Sequence, residues 1–265
     1  MKEPAARDRF GAWVRTVLAH HHGGGGDPDV SRVIYQTSTI GALLDGIYVG
    51  DVTVAELLTH GDFGLGTFNR LDGEMVVLDG VCHHLRSDGR ATVAAPGERT
   101  PFAVVTGFRP ETRLSVTSPA GRDAVVALID RAVGTNNLIQ AVRIDGTFAR
   151  MRTRTVMAQT PPYPPLTRAT ENEPVTDLTG VTGTLAGFRT PDYEQGISVA
   201  GYHLHFLDAS HRRGGHALDF ELAHGEIAVG SSSELHLSLP RTEAFLNARL
   251  SLENIAAHVR KAEGG

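Results

Sequence analysis

With 265 residues, 41% of them hydrophobic and 21% charged, the chain can bury one large core or two of moderate size. A formal net charge of −5 without a basic stripe argues against nucleic acid as the main partner. The single cysteine, Cys82, excludes an intrachain disulfide framework and a cysteine-rich zinc site, and no apolar run approaches the ~20 residues that span a bilayer. The N-terminus lacks the apolar core and cleavage site of a secretory signal, so a reduced, cytoplasmic setting is expected.

In chain order, residues 1–29 read as a flexible N-terminal extension. Phe10, Trp13, Val14 and Leu18 could line one side of a short helix, and His20-His21-His22 runs into Gly23–Gly26. That run is either a metal-binding tract or a linker, and so supple a stretch suits the linker. From Val33 the text turns β-rich. Strands are predicted over 33–37, 64–68, 73–78 and 102–108, with short helices near 38–44 and 51–58, the second capped by Asp51 or Thr53. A helix is expected from Asp123 to before Asn136, then strands over 141–144 and 148–156. Pro161-Pro162-Tyr163-Pro164-Pro165 forces an extended connector and is the preferred boundary between domains at 30–165 and 166–265. Beyond it, short strands over 183–189, 197–207, 216–222, 225–229 and 234–239 precede two terminal helices, 242–250 and 252–263. The expected class is a mixed α/β (α+β) fold of two β-sheet domains with flanking helices.

The chemistry concentrates in Gly201-Tyr202-His203-Leu204-His205-Phe206 and, after a polar turn, Gly214-Gly215-His216. On a strand, residues two apart share a face, so His203 and His205 point the same way. If the loop is 209–212, Asp208 pairs with Arg213 and His205 lies across from His216. Three imidazoles converging from one side leave open positions on a metal, the layout of a catalytic zinc; copper, nickel and iron are less well excluded than magnesium or calcium. The alternative is a half-buried strand whose histidines are structural. Gly80-Val81-Cys82-His83-His84 echoes this stretch, but no role is assigned to His83 or His84.

Glu74 enters an apolar strand after Asp72-Gly73. It is either a strand-end surface residue or, pointing inward, a carboxyl poised for proton transfer. Arg150, Arg152 and Arg154 share one strand face, and any of them could bind a carboxylate through its planar fork or sit in a surface ion pair.

Several ordered blocks make the chain resemble the α-acetolactate decarboxylase family. They are Tyr35-Gln36-Thr37-Ser38-Thr39 with Ala42–Gly46, Asp62–Phe68, Leu71–Met75, Arg154-Thr155-Val156 with Gln159, Pro162–Leu166, and the two histidine strands. Together they run from about residue 33 to the C-terminus. The resemblance implies a cytosolic, commonly dimeric enzyme that turns α-acetolactate into acetoin and carbon dioxide, with the metal site between the two sheets. It implies that His203, His205 and His216 hold Zn2+, that Glu74 and Arg154 are catalytic, and that Thr67 lines the substrate pocket. It also implies a glutamate from the C-terminal tail at the metal, for which Glu263 is the first candidate and Glu253 the second. The substrate carries its own electron sink, a ketone beside the carbon that loses carbon dioxide. Zinc acting as a Lewis acid on the ketone and hydroxyl oxygens would stabilise an enediolate, and no organic cofactor is needed.

Two rivals remain at this point. A cupin-like oxygenase also uses His-x-His, and Asp208 stands where its carboxylate would be sought. A non-catalytic binding module would use the histidines structurally.

Overall fold

The structure, a computed structural model, describes residues 32–250 and 255–263. The expected N-terminal extension, with its His-Gly run, lies outside the described residues, as does Glu253. Short runs of buried β-branched and aromatic residues form the first strands. β1 (Ile34–Thr37) leads into helix α1 (Ile40–Leu44), where the Thr39 hydroxyl accepts the Ala42 amide at 3.1 Å. β2 (Val52–Thr53) precedes α2 (Val54–Leu57), capped by Thr53 at the Glu56 amide. The helix expected from Asp51 therefore starts later, because Val52 and Thr53 pair with Thr100 and Arg99. β3 (Phe63–Thr67), β4 (Glu74–Leu78), β5 (Val81–Leu85), β6 (Ala91–Val93), β7 (Arg99–Thr100) and β8 (Phe102–Thr106) follow.

β9 (Thr112–Val116) and β10 (Ala120–Gly121) lead to α3 (Arg122–Val133), which ends on Gly134 in the left-handed conformation. Then come β11 (Ile139–Arg154), α4 (Leu166–Ala169), β12 (Val175–Thr190), β13 (Gly201–Asp208), β14 (Gly214–Ser232), β15 (Leu235–Ser238), α5 (Glu243–Leu246) and α6 (Ile255–Glu263). Two expectations change here. The strand pairs expected over 141–144 and 148–156, and over 216–222 and 225–229, are single long strands, β11 and β14. The expected interruptions are absorbed as register shifts between Thr147 and Arg150 rather than as chain reversals. The helix expected over 242–250 is only the single turn of α5, capped by Thr242.

The strands make two large sheets. The first runs β15-β1-β8-β3-β4-β5-β6, antiparallel except for β15 beside β1. The second runs β10-β14-β11-β12-β13, and β13 also returns to β14, so β11 to β14 close on themselves. β11, before the proline run, and β12, after it, are hydrogen-bonded neighbours along nearly their whole length.

Successive residues of the first sheet serve opposite faces, as the two-residue period requires. Met75, Val77, Ala103 and Val105 pack on one face with Leu57 of α2. Leu65, Val76, Leu78 and Val104 pack on the other with Ala186, Phe188 and Leu207 of the second sheet. That second cluster fills the space between the sheets and includes Val259 and Ala262 of α6. A third cluster sets α3, through Val125 and Ile129, against the remaining face of the second sheet. β3 and β4 thus face β12 and β13 across the central core, and this contact builds the site.

Candidate metal centre and active site

The hairpin between β13 and β14 has the expected register. The Asp208 amide donates to the Arg213 carbonyl at 2.9 Å, and His205 lies directly opposite His216. Gly214 allows this close return, since a Cβ there would lie 2.3 Å from the Phe206 carbonyl oxygen, and Gly215 allows β14 to pack on β11, where a Cβ would lie 2.6 Å from the Arg154 carbonyl oxygen. His203, His205 and His216 are all buried, and one ring nitrogen from each falls within 4.8 Å of the others. Nε2 of His203 and Nε2 of His205 are 3.2 Å apart. Two ligands about 2.0–2.1 Å from a tetrahedral ion lie roughly 3.3 Å apart, so the separation fits a shared ion.

The protonation state suits the same use. Burial, then the Arg154 charge, pushes the pKa of His203 down to about 3. Burial and the neighbouring His203 also hold His205 well below its ordinary value. Both rings are therefore neutral near pH 7, with lone pairs available. Nδ1 of His205 donates to the Met75 carbonyl at 2.7 Å, which selects the tautomer whose Nε2 faces the other rings. This backbone carbonyl orients His205. Asp219, three residues beyond His216 on β14, is engaged by Arg150 at 2.5 Å.

β4 supplies the next residue. Gly73 precedes it at φ 85°, where a Cβ would lie 2.3 Å from the Leu85 carbonyl oxygen, so the turn packs tightly. This turn fixes the phase of β4 and turns Glu74 inward. Glu74 is 7% exposed, its Oε2 lies 3.7 Å from Nε2 of His205, and its Oε1 accepts the Val156 amide at 3.4 Å. Thr67, across the ladder from Glu74, donates its hydroxyl to the Gly73 carbonyl at 2.7 Å.

The three arginines of β11 part company. Arg150 pairs with Asp219, and Arg152 lies 3.9 Å from Asp177, all with side chains nearly half exposed. Arg154 lies opposite His216 in the ladder and is covered by two segments distant in sequence. Its Nε lies 3.2 Å from Oε2 of the buried Glu173, and its guanidinium donates to the Ala262 carbonyl in the last turn of α6.

Thr67, Glu74, Arg154 and His203 line one chamber, walled by apolar residues including Ile40, Leu43, Phe102 and Leu166 and closed on one side by Ala262. Glu263 ends α6 beside Ala262; its side chain lies outside the described residues. Asp208, the carboxylate sought by a cupin-like reading, is spent on its own loop. It accepts the Arg212 and Arg213 amides at 2.8 and 3.1 Å. Sequence reasoning missed Glu173. It sits in Glu171-Asn172-Glu173-Pro174, a composition that reads as a solvated turn, and nothing local signals its burial.

The arrangement provides a three-nitrogen site able to hold a metal ion, a carboxylate at its edge, and a cation facing an apolar chamber. That combination is chemically suited to a small oxyanion. The family model for α-acetolactate decarboxylase matches residues 34–252. The α-acetolactate decarboxylase of Klebsiella aerogenes is 47% identical over 231 residues, covering 87% of this chain and 89% of the relative. That of Bacillus subtilis strain 168 is 41% identical over 238 residues, covering 90% and 93%. The crystal structure of α-acetolactate decarboxylase from that Bacillus subtilis strain superposes with a TM-score of 0.86 at 41% identity, over 88% of this chain and 99% of the other. The site geometry and the length of these matches agree, and this chain belongs to the α-acetolactate decarboxylase family.

Proposed function

We propose that the chain catalyses zinc-dependent decarboxylation of α-acetolactate to acetoin and carbon dioxide, through an enediolate. The observation that carries this reading is the convergence of His203, Glu74, Arg154 and Thr67 on one apolar chamber, although they come from four different strands. His203, His205 and His216 would hold the zinc, a donor set of neutral nitrogens that suits that ion. When bound, zinc supplies a Lewis acid for the ketone and hydroxyl oxygens of the substrate.

Arg154 binds the substrate carboxylate, and Glu173 and the Ala262 carbonyl hold its guanidinium in place. As carbon dioxide leaves, the bonding electrons move onto the neighbouring ketone. Glu74 then delivers a proton to the carbon that lost the carboxylate. Substrate anion plus one proton gives acetoin plus carbon dioxide. The apolar walls exclude bulk water, so the proton comes from a fixed direction and a single acetoin enantiomer results. Thr67, tied to the Gly73 carbonyl, lines the pocket beside Glu74. Glu263 joins the site through the family resemblance, and its place in the chain beside Ala262 supports this.

Acetoin and carbon dioxide formation from α-acetolactate should vanish with a chelator and return with added zinc. A zinc-loaded preparation that releases no carbon dioxide refutes the proposal. A homodimer in a reduced, cytoplasmic setting belongs to the same reading. Exposed Leu239 and Leu246, close in sequence to the edge strand β15, support the dimer, and light scattering of the eluted protein tests it.

A further inference from the structure

The histidine cluster is lined by a second cavity as well as by the inner chamber. His203 borders both, and His216 borders the second. α6 runs between them: Ala262 faces the inner chamber, while Val259 and Arg260 face the second cavity. The two spaces differ in chemistry. The inner chamber holds the Glu74 carboxylate, whereas the outer one is lined by Arg122, Arg260, Gln195 and Tyr202 and, among the described residues, by no carboxylate.

Two nearby acids are already engaged, while Asp123 and Glu221 share a neighbouring cavity with Arg122. Tyr202 donates its hydroxyl to Asp130 at 2.7 Å, and Asp219, within electrostatic reach of Arg122, is held by Arg150 at 2.5 Å. The buried amide nitrogen of Gln195 has no hydrogen-bond partner among the described residues. A cavity with two guanidinium groups and a spare amide donor, floored by two metal-ligand candidates, suits a small carboxylate. The chain as a whole carries a net charge of −5, so an anion approaching elsewhere meets a mean repulsion that this mouth reverses locally.

We propose that this outer cavity is the entry vestibule of the enzyme, in which Arg122 and Arg260 capture the carboxylate of an anionic 2-hydroxy-3-oxo acid and pass it along His203 to Arg154. The vestibule selects anionic ligands over neutral ones; it takes no part in bond breaking. The inference rests on the decarboxylase reading given above.

The test uses zinc-loaded protein, unmodified and as Arg122→Gln/Arg260→Gln. Initial rates with α-acetolactate are measured across a series of salt concentrations. Inhibition is measured with 2,3-dihydroxy-2-methylbutanoate, the substrate with its ketone reduced, and with the neutral diol 2,3-butanediol. In the double variant KM and the inhibition constant of the anionic diol rise about tenfold, kcat stays within about twofold, and the neutral diol binds as before. The salt dependence of kcat/KM flattens. Arg122→Lys/Arg260→Lys restores both, because steering needs charge and not the planar fork. An unchanged KM with intact salt dependence overturns the proposal. Equal weakening of anionic and neutral diols does so too, since that is loss of packing. If the unmodified zinc-loaded protein fails to turn over α-acetolactate, the decarboxylase reading fails first and this one with it.

Discussion

Among the described residues, two buried histidine pairs sit on β-strands, and only one converges. In β5, His83 and His84 are adjacent, so they point to opposite faces of the first sheet. His84 is fully consumed: its ring stacks on Phe68 with centroids 3.8 Å apart, bonds Glu98 at 3.0 Å, and meets the Asp72 carbonyl. His83 faces His211, the hairpin-loop residue, at 4.9 Å between ring centroids. In β13, His203 and His205 are separated by one residue, share a face, and meet His216 from the neighbouring strand. One intervening residue separates a pair that stabilises a fold from a pair that can hold an ion. Burial alone does not distinguish them, because all four rings are buried.

The largest expected effect breaks the converging pair. His205→Ala should release the metal and lower kcat/KM by a factor on the order of 10³ or more, since the ion and its Lewis-acid chemistry go together. Metal content and acetoin formation are measured on the same sample; stoichiometric zinc with full activity would remove His205 from the site. Next comes Glu74→Gln, which keeps the shape and removes the proton. Turnover should fall by about 10²–10⁴ with zinc retained, the usual range for a lost general acid or base. Because Oε2 lies 3.7 Å from Nε2 of His205, loss of zinc in this variant would instead make Glu74 a ligand. His84→Ala works on the other pair. It should cost roughly 2–4 kcal/mol of stability by opening a cavity against Phe68, while the folded fraction keeps its metal and its kcat. Urea unfolding and metal content decide it, and a metal-depleted but equally stable variant would erase the contrast.

The converging histidines were legible in the chain because a two-residue period and a polar turn are local signals. His203, His205 and the register of His216 all follow from about fifteen consecutive residues. Arg154 was not separable from Arg150 and Arg152 by spacing, since all three share a face. What singles it out is cover from Glu173 and from the last turn of α6, supplied by chain far away in sequence. The length of β11 and β14 was hidden for a related reason. Gly146 falls in a gap between two expected strands and Gly225 at the start of another, and their pairing with each other and of Gly146 with Gly183 keeps the strands running. The parallel seat of β15 beside β1 is likewise a long-range pairing with no local mark. The Met75 carbonyl that orients His205 is a backbone group, invisible to any reading of side-chain types.

The smallest expected effect concerns acid, and it distinguishes the two pairs by whether metal matters. Burial lowers the pKa of His203 and His205, and burial together with His211 lowers that of His83. In the unfolded chain these rings titrate near an ordinary value of about 6.5. As pH falls through that value the unfolded state takes up protons that the folded state refuses, so stability falls. For His203 the loss continues until pH reaches its folded value of about 3. Metal-free protein should therefore take up protons on unfolding at pH 5, about one of them at His203, read from the slope of stability against pH. His83→Phe should reduce that uptake whether or not zinc is present. The shares of His203 and His205 should change with metal, because protons must first displace the ion from their nitrogens. If the slope in His83→Phe matches that of the unmodified protein, His83 titrates at its ordinary value in the fold. The contrast would then reduce to geometry alone.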